Sequence, residues 1–165
     1  MSFTSRNGSR GARQPRIGAL ARWFTKRWIK RIERKGGKFM GMNLLVLTAV
    51  GKKTGMERQT PLAWFPAPAG TWYVVASAAG AAKNPAWYYN LAASPTTARI
   101  SIGGREVPVT ARQLHGVERD RAWKQIVAAV PRYGQYVTKT DREIPVIQLT
   151  PAERNSSSSE QSEHP

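Results

Sequence analysis

The sequence predicts an α+β domain whose antiparallel sheet curls into a small barrel with helices outside it. Three observations carry that reading. Short segments rich in Val, Ile, Leu, Trp or Tyr recur, bounded by Gly, Pro or Lys-Thr-Gly turns. Links as short as Gly103-Gly104 join neighbouring segments, which suits antiparallel hairpins and is too short for a parallel crossover. The 165 residues, 41% of them apolar, suit one compact domain with tails.

Taken in order, residues 1–14 are rich in Ser, Gly, Arg and Asn and read as a disordered basic tail. Residues 15–38 read as a basic amphipathic helix. Ile17, Leu20, Ala21, Phe24, Trp28 and Ile32 recur on one face, and Arg16, Arg22, Lys26, Arg27, Lys30 and Arg34 on the other. Residues 39–151 hold the expected strands, Asn43–Val50, Arg58–Phe65, Thr71–Ala78, Ala98–Ile102, Glu106–Arg112 and Ile144–Leu149. Helices are expected over Pro85–Ala93, with Asn84 as cap, and over Val117–Val130, with a further helical turn near Tyr133–Thr138. Residues 152–165, with the run Ser156–Ser159 among acids, read as a second disordered tail.

Composition narrows the chemistry. No cysteine is present, so disulfides, thiolate nucleophiles and cysteine zinc sites are excluded. His115 and His164 stand in separate polar contexts, which argues against a histidine metal cage or a Ser-His-Asp triad. No window reaches the roughly 18 apolar residues of a membrane span. The formal charge of +16 favours an anionic partner, and residues 1–38 hold 12 of the 26 basic residues but only one acid, Glu33. The arm therefore suits an anionic membrane surface, with Trp23 and Trp28 as interfacial rings, or a helix packed on its own domain. Nucleic acid is disfavoured, because no strand platform of aromatic and basic residues accompanies the charge. The arm lacks the apolar h-region and cleavage site of a secretory signal, so the expected location is cytoplasmic, with peripheral attachment to the inner membrane face as an option.

Two motifs could carry chemistry. Val50-Gly51-Lys52-Lys53-Thr54-Gly55-Met56-Glu57-Arg58 reads as an anion-holding loop or as an ordinary hairpin turn with solvated lysines. It lacks the four-residue spacer and the following helix of a Walker A loop. The second is Val74-Val75-Ala76-Ser77-Ala78-Ala79-Gly80, whose small residues let a flat ring approach, followed by Trp87, Tyr88 and Asn90 as walls or, alternatively, as core and surface residues of a helix. Tyr133 and Tyr136, three apart, could face one pocket or pack in the core. Asp141-Arg142 reads as an ion pair closing the last strand.

Four stretches together resemble the deazaflavin-dependent nitroreductase family of actinobacteria over about residues 40–151. They are Leu44-Leu45-Val46-Leu47-Thr48-x-Val50-Gly51-Lys52-Lys53-Thr54-Gly55, Thr60-Pro61-Leu62, Lys83-Asn84-Pro85-Ala86-Trp87-Tyr88-x-Asn90-Leu91 and Thr140-Asp141-Arg142-x-Ile144-Pro145. The resemblance implies a split β-barrel, related to flavin-reductase and pyridoxamine-oxidase barrels. It implies coenzyme F-420, an 8-hydroxy-5-deazaflavin with a phosphate and an oligoglutamate tail, as cofactor. Carried over by position, Lys52, Lys53, Thr54, Gly55 and Arg58 would surround the phosphate and tail. Thr60, Pro61, Ala76, Ser77, Ala78 and Ala79 would line the ring, with Ala86, Trp87, Tyr88 and Asn90 closing the groove. Ser77 would stand beside the reactive edge, and Tyr133 and Tyr136 would wall the acceptor pocket; these three are the catalytic candidates. Ala63 and Val130 stand where some members carry tyrosine, and Ala78 where lysine can occur.

The expected activity is therefore hydride transfer from the reduced coenzyme to an electron-poor acceptor, a quinone or a nitro compound, by a monomer or homodimer. The alternatives are a non-catalytic barrel that carries an anionic cofactor or binds a membrane surface, and a reductase that uses flavin mononucleotide (FMN).

Overall fold

The computed structural model describes residues 3–13 and 19–152, with the side chains of residues 19–24 left aside. Of the expected tails 1–14 and 152–165 and the expected helix 15–38, residues 1, 2, 14–18 and 153–165 lie outside the described residues. Helix α1 (Ala19–Lys35) leads into strands β1 (Gly37–Phe39), β2 (Met42–Val50), β3 (Glu57–Ala63), β4 (Phe65–Ala67) and β5 (Thr71–Val75). Helix α2 (Ala86–Ala93), strands β6 (Ala98–Ile102) and β7 (Arg105–Gln113), helices α3 (Gly116–Ala129) and α4 (Arg132–Lys139) and strand β8 (Val146–Pro151) follow.

Every strand pair is antiparallel. The sheet runs β2-β6-β7-β8-β5-β4, and β3 pairs with the opposite edge of β2. Only Trp64 separates β3 from β4, so one bent strand pairs with β2 through its first half and with β5 through its second. That bend curls the sheet into a half-barrel. The β6–β7 link is the two-residue turn Gly103-Gly104, both at positive φ, as a tight hairpin between twisted strands requires.

The curled antiparallel α+β fold expected from the sequence is thus the one observed. The expected strand Arg58–Phe65 breaks at Trp64, where the barrel turns its corner. The expected Thr71–Ala78 stops at Val75, because Ala78 and Ala79 adopt positive φ in a tight turn, Ala78–Gly80. Strand β1 was not expected; three residues flanked by glycines carry no readable alternation.

Strand β2 is buried on both faces, which explains its continuous apolar run. Leu45, Leu47 and Ala49 join Val74, Ile100, Val109, Ile147 and Leu149 from the other strands in a shared core that Trp87, Tyr88 and Leu91 of α2 complete. Leu44 and Val46 face the other way, against Ile29 and Ile32 of α1. Helices α3 and α4 cover a further cluster through Ala122, Ile126 and Tyr133 against Phe65, Val75 and Val146. Among the described residues no helix is long and apolar enough to cross a membrane.

Two expectations about the N-terminus are corrected. Residues 3–13, expected to be disordered, form an extended strap held to the domain along its length. Thr4 N donates to Gln113 Oε1 (3.2 Å), Gly8 N to the Ala82 carbonyl (2.7 Å) and Ala12 N to the Gly80 carbonyl (2.9 Å). In α1, Trp28 does not share the buried face with Ile32. It is 38% exposed and meets the exposed Phe39 edge-on at 6.0 Å, while Ile29 takes the buried position one turn from Ile32.

Candidate functional site

The β2–β3 loop, Gly51 to Met56, is built around its two glycines. Gly51 N donates to the Met56 carbonyl (2.7 Å), Gly55 N donates to the Gly51 carbonyl (2.9 Å), and Gly55 turns at φ +69°. A Cβ on Gly51 would lie 2.7 Å from Thr54 Oγ1, so any larger residue displaces the threonine. The loop is pinned from outside by α2, where Asn90 Oδ1 accepts the Lys52 N–H at 2.9 Å.

Between loop, β3 and α2 lies a groove of about 590 Å3. Lys52, Lys53, Thr54 and Arg58 form its cationic side; Gln59 and Thr60 come from β3, and Ala86, Tyr89 and Asn90 from α2. Among the described residues no carboxylate lines it. Two acids on neighbouring elements are engaged elsewhere: Glu57 takes both Nη groups of Arg99, at 2.5 and 2.8 Å, and Glu33 accepts from Gln59 Nε2 at 2.6 Å. The Arg99 hydrogen bonds also hold the Glu57 carboxyl below the usual carboxylate range. The groove therefore offers net positive charge, the Thr54 hydroxyl and one aromatic wall, a surface suited to a polyanion with a flat ring.

The structure brings seven of the expected binding residues to this groove: Lys52, Lys53, Thr54, Arg58, Thr60, Ala86 and Asn90. Gly55 shapes the loop without lining the groove. Trp87 and Tyr88 face the core instead, 8% and 1% exposed, with Tyr88 Oη donating to Gln113 Oε1 at 2.7 Å. Helical spacing gives the reason: Ala86, Tyr89 and Asn90 share the face that Trp87, Tyr88 and Leu91 leave. Tyr89 and Gln59 were missed by the sequence reading, and the i, i+3, i+4 relation of Ala86, Tyr89 and Asn90 was the signal that could have found the first; Gly51, named there as part of the anion-holding loop, does line the groove. Pro61 stays on β3 beside Thr60, outside the lining.

Ala76, Ser77, Ala78 and Ala79 also lie outside the lining, on the turn that follows β5 and leads to α2. Ala76 is fully buried, whereas Ser77 and Ala78 are half-buried and Ala79 is exposed. Helix α4 packs on this turn; a Cβ on Gly80 would meet Lys139 Cβ at 3.0 Å and the Tyr136 carbonyl at 3.2 Å. Tyr136 is half-buried there, with Lys139 Nζ 5.9 Å from its ring. Tyr133 is enclosed, 7% exposed and edge-on to both Phe65 and Tyr136 at 5.5 Å. Burial pushes its hydroxyl up to about 12, which makes it a poor proton donor near neutrality.

Asp141 and Arg142 do not pair with each other. Asp141 accepts the Ser9 and Arg10 N–H groups (3.1 and 2.9 Å) and the Ser9 hydroxyl, anchoring the strap. Arg142 turns inward beneath the Ser77 turn. Asn84, expected to cap α2, makes no cap: its Oδ1 accepts from Arg142 Nη1 at 3.0 Å and its Nδ2 donates to the Ser5 carbonyl at 3.2 Å. Among the described residues no group of His, Asp and Glu could hold a metal ion.

The chain resembles known proteins in sequence and in fold. The model of a family described as F420H(2)-dependent quinone reductase matches residues 20–151. An F420H(2)-dependent quinone reductase of Mycobacterium tuberculosis is 37% identical over 110 residues, which cover 64% of this chain and 72% of that one. A solved structure of an F420-H2 dependent reductase superposes with a TM-score of 0.59 at 41% identity, covering 65% of this chain and 93% of its own. A domain-swapped dimer gives a TM-score of 0.60 at 35% identity, covering 80% and 100%.

Proposed function

The chain belongs to the F420H(2)-dependent quinone reductase family, and from that premise we propose that its cationic groove holds the deazaflavin coenzyme while the Ser77 turn and Tyr136 face a quinone acceptor. The protein is an oxidoreductase of the quinone-reducing type. The observation that carries the binding assignment is a groove with Lys52, Lys53 and Arg58 on one side and no carboxylate among the described residues that line it. Those residues fit a phosphate and an oligoglutamate tail, because two lysines, an arginine and the Thr54 hydroxyl supply the donors and most of them carry charge.

When bound, the reduced deazaflavin supplies a hydride from its C5, a two-electron transfer that suits a quinone. The chain's own residues supply position and charge. Lys52, Lys53 and Arg58 hold the anionic end; Asn90 keeps the loop against α2; Tyr89 and Ala86 form the apolar wall. In this reading Ser77 Oγ and Tyr136 Oη donate hydrogen bonds to the quinone oxygen on which negative charge develops. The quinone gains one hydride and one proton and leaves as hydroquinone, with the proton drawn from water or from a hydroxyl that water reprotonates. Tyr133 acts as packing behind Tyr136.

The test is anaerobic mixing of reduced coenzyme with a soluble quinone and catalytic amounts of protein, followed through recovery of the oxidised coenzyme's absorbance. Turnover is expected, with the coenzyme KM raised about tenfold or more in a Lys53→Ala Arg58→Ala variant. Absence of turnover by folded protein that binds the coenzyme would contradict the quinone assignment.

One observation favours a membrane-facing role for the arm. Trp28, Phe39 and Met40, 38%, 51% and 63% exposed, stand together at the α1 and β1–β2 edge, and Met40 occupies the hairpin tip at φ +50°. Lys26, Lys30, Lys38 and Arg132 are nearby in chain or space, and Arg132 Nη1 lies 2.9 Å from Met40 Sδ. Apolar side chains ringed by cations suit an anionic lipid surface. A Trp28→Gln Phe39→Gln Met40→Gln variant is expected to lose sedimentation with anionic liposomes, and unchanged sedimentation would refute this reading.

A further inference from the structure

Arg142 is 6% exposed, and each of its three guanidinium nitrogens donates to a neutral acceptor. Nε donates to the Ala81 carbonyl (2.8 Å), Nη1 to the Ala76 carbonyl (3.0 Å) and to Asn84 Oδ1 (3.0 Å), and Nη2 to the Ser77 carbonyl (2.6 Å). Neither neighbouring acid answers its charge. Asp141 is occupied by the strap, and Glu143 lies 3.5 Å from Arg119 Nε. Burial lowers the Arg142 pKa, yet an arginine remains protonated at neutral pH. A buried cation without a counterion costs stability that an apolar residue would not.

Two things are gained at that cost. The three carbonyls belong to the turn whose Ala78 and Ala79 are held at φ +45° and +51°, a conformation that alanine adopts only under constraint. The fork geometry of arginine supplies that constraint. Asn84 then extends the network, since its Nδ2 lies 3.4 Å from Tyr89 Oη and Tyr89 walls the groove. The turn and the groove are thus joined through one polar hub.

We propose that Arg142 is a positioning residue of the reaction: it fixes the Ser77 turn and keeps an unneutralised positive charge behind it, which favours negative charge on the reduced ring and on the acceptor at that turn. This rests on the reading that the coenzyme in the groove meets the acceptor at that turn. A fixed charge in a low-dielectric site acts without reorganising during the reaction.

Three variants separate charge from shape. Arg142→Lys keeps the charge and loses the fork; Arg142→Gln loses both; Asn84→Asp leaves the arginine in place and sets a carboxylate against it. The readouts are the coenzyme dissociation constant, the midpoint potential of the bound coenzyme, and kcat against KM for the quinone, each on protein whose fold is checked by circular dichroism. In Arg142→Gln and Asn84→Asp the potential is expected to become more negative and kcat to fall about tenfold or more. Affinity for the oxidised coenzyme is expected to stay within about threefold of wild type, because the tail contacts are intact. Arg142→Lys is expected to keep the potential closer to wild type. An unchanged potential and kcat in folded Asn84→Asp would overturn the role of the charge. Failure of the folded wild-type chain to bind the coenzyme would overturn the cofactor assignment, and this role with it.

Discussion

Asn90 shows how much one side-chain oxygen can organise: a single 2.9 Å bond to the Lys52 N–H joins the cationic loop to the helix that walls the groove. Removing it in Asn90→Ala costs about 0.5–1.5 kcal/mol of loop order, so coenzyme affinity is expected to fall several-fold while the melting temperature stays nearly unchanged. Equal affinities would remove Asn90 from the site. Tyr133 makes the opposite case. Its hydroxyl is raised to about 12 by burial, so the native state holds a proton that the unfolded chain loses above its ordinary value of 10.0. The contribution is present below pH 10.0 and lost as pH rises toward 12. Tyr133→Phe is expected to keep kcat at neutral pH and to blunt alkaline destabilisation in denaturant titrations; a collapse of kcat in folded Tyr133→Phe would restore it to the chemistry. At this scale the sequence showed which residue types gather but not which way they face. Lys52, Lys53, Thr54 and Arg58 were legible because an exposed loop leaves charged side chains few other places to go. Trp87, Tyr88 and Tyr89 were not, because adjacent aromatics on a short helix are distinguished only by the register in which that helix meets the barrel.

The strap and α1 are the elements that sequence reasoning handled least well. Residues 3–13 carry no apolar periodicity, and their order comes from acceptors far along the chain, Asp141, Gln113 and the carbonyls of Gly80 and Ala82. The Ser9 hydroxyl and the Arg10 N–H hold Asp141 at about 2, below its ordinary 3.8. The sign follows: the anchoring is complete above pH 3.8 and is lost as pH falls through about 2. Asp141→Asn is expected to speed amide exchange at Ser9 and Arg10 at neutral pH while the barrel strands stay protected. Unaltered exchange would show that the strap is held by its other contacts alone. Helix α1 has a structural debt to the barrel as well, since Ile29 and Ile32 cover Leu44 and Val46. Deleting residues 1–38 exposes those side chains at about 1.5–3 kcal/mol each, so the truncated chain is expected to melt well below the full one. A truncation that kept its melting temperature would contradict this packing. Membrane tests therefore belong to surface substitutions rather than deletions. The six principal strands were legible from β-branched runs and turn residues, whereas the corner at Trp64 was not, because curling of the sheet is a tertiary event.

For the whole molecule, the +16 charge is distributed rather than neutral filler. The basic excess gathers in the arm and around the groove, while Glu57, Glu118 and Asp141 are committed to Arg99, Arg112 and the strap. Binding of a polyanionic coenzyme should then weaken with added salt, as exposed charges are screened beyond roughly 8 Å at physiological ionic strength. The measurement that bears most directly on the account is a fluorescence titration of oxidised coenzyme F-420 with the full chain, run beside FMN and beside the Lys53→Ala Arg58→Ala variant. Saturable binding that weakens about tenfold or more in the variant, and that FMN does not reproduce, is the predicted result. Equal affinity in wild type and variant, or tighter binding of FMN, would contradict a groove built for the deazaflavin's anionic tail.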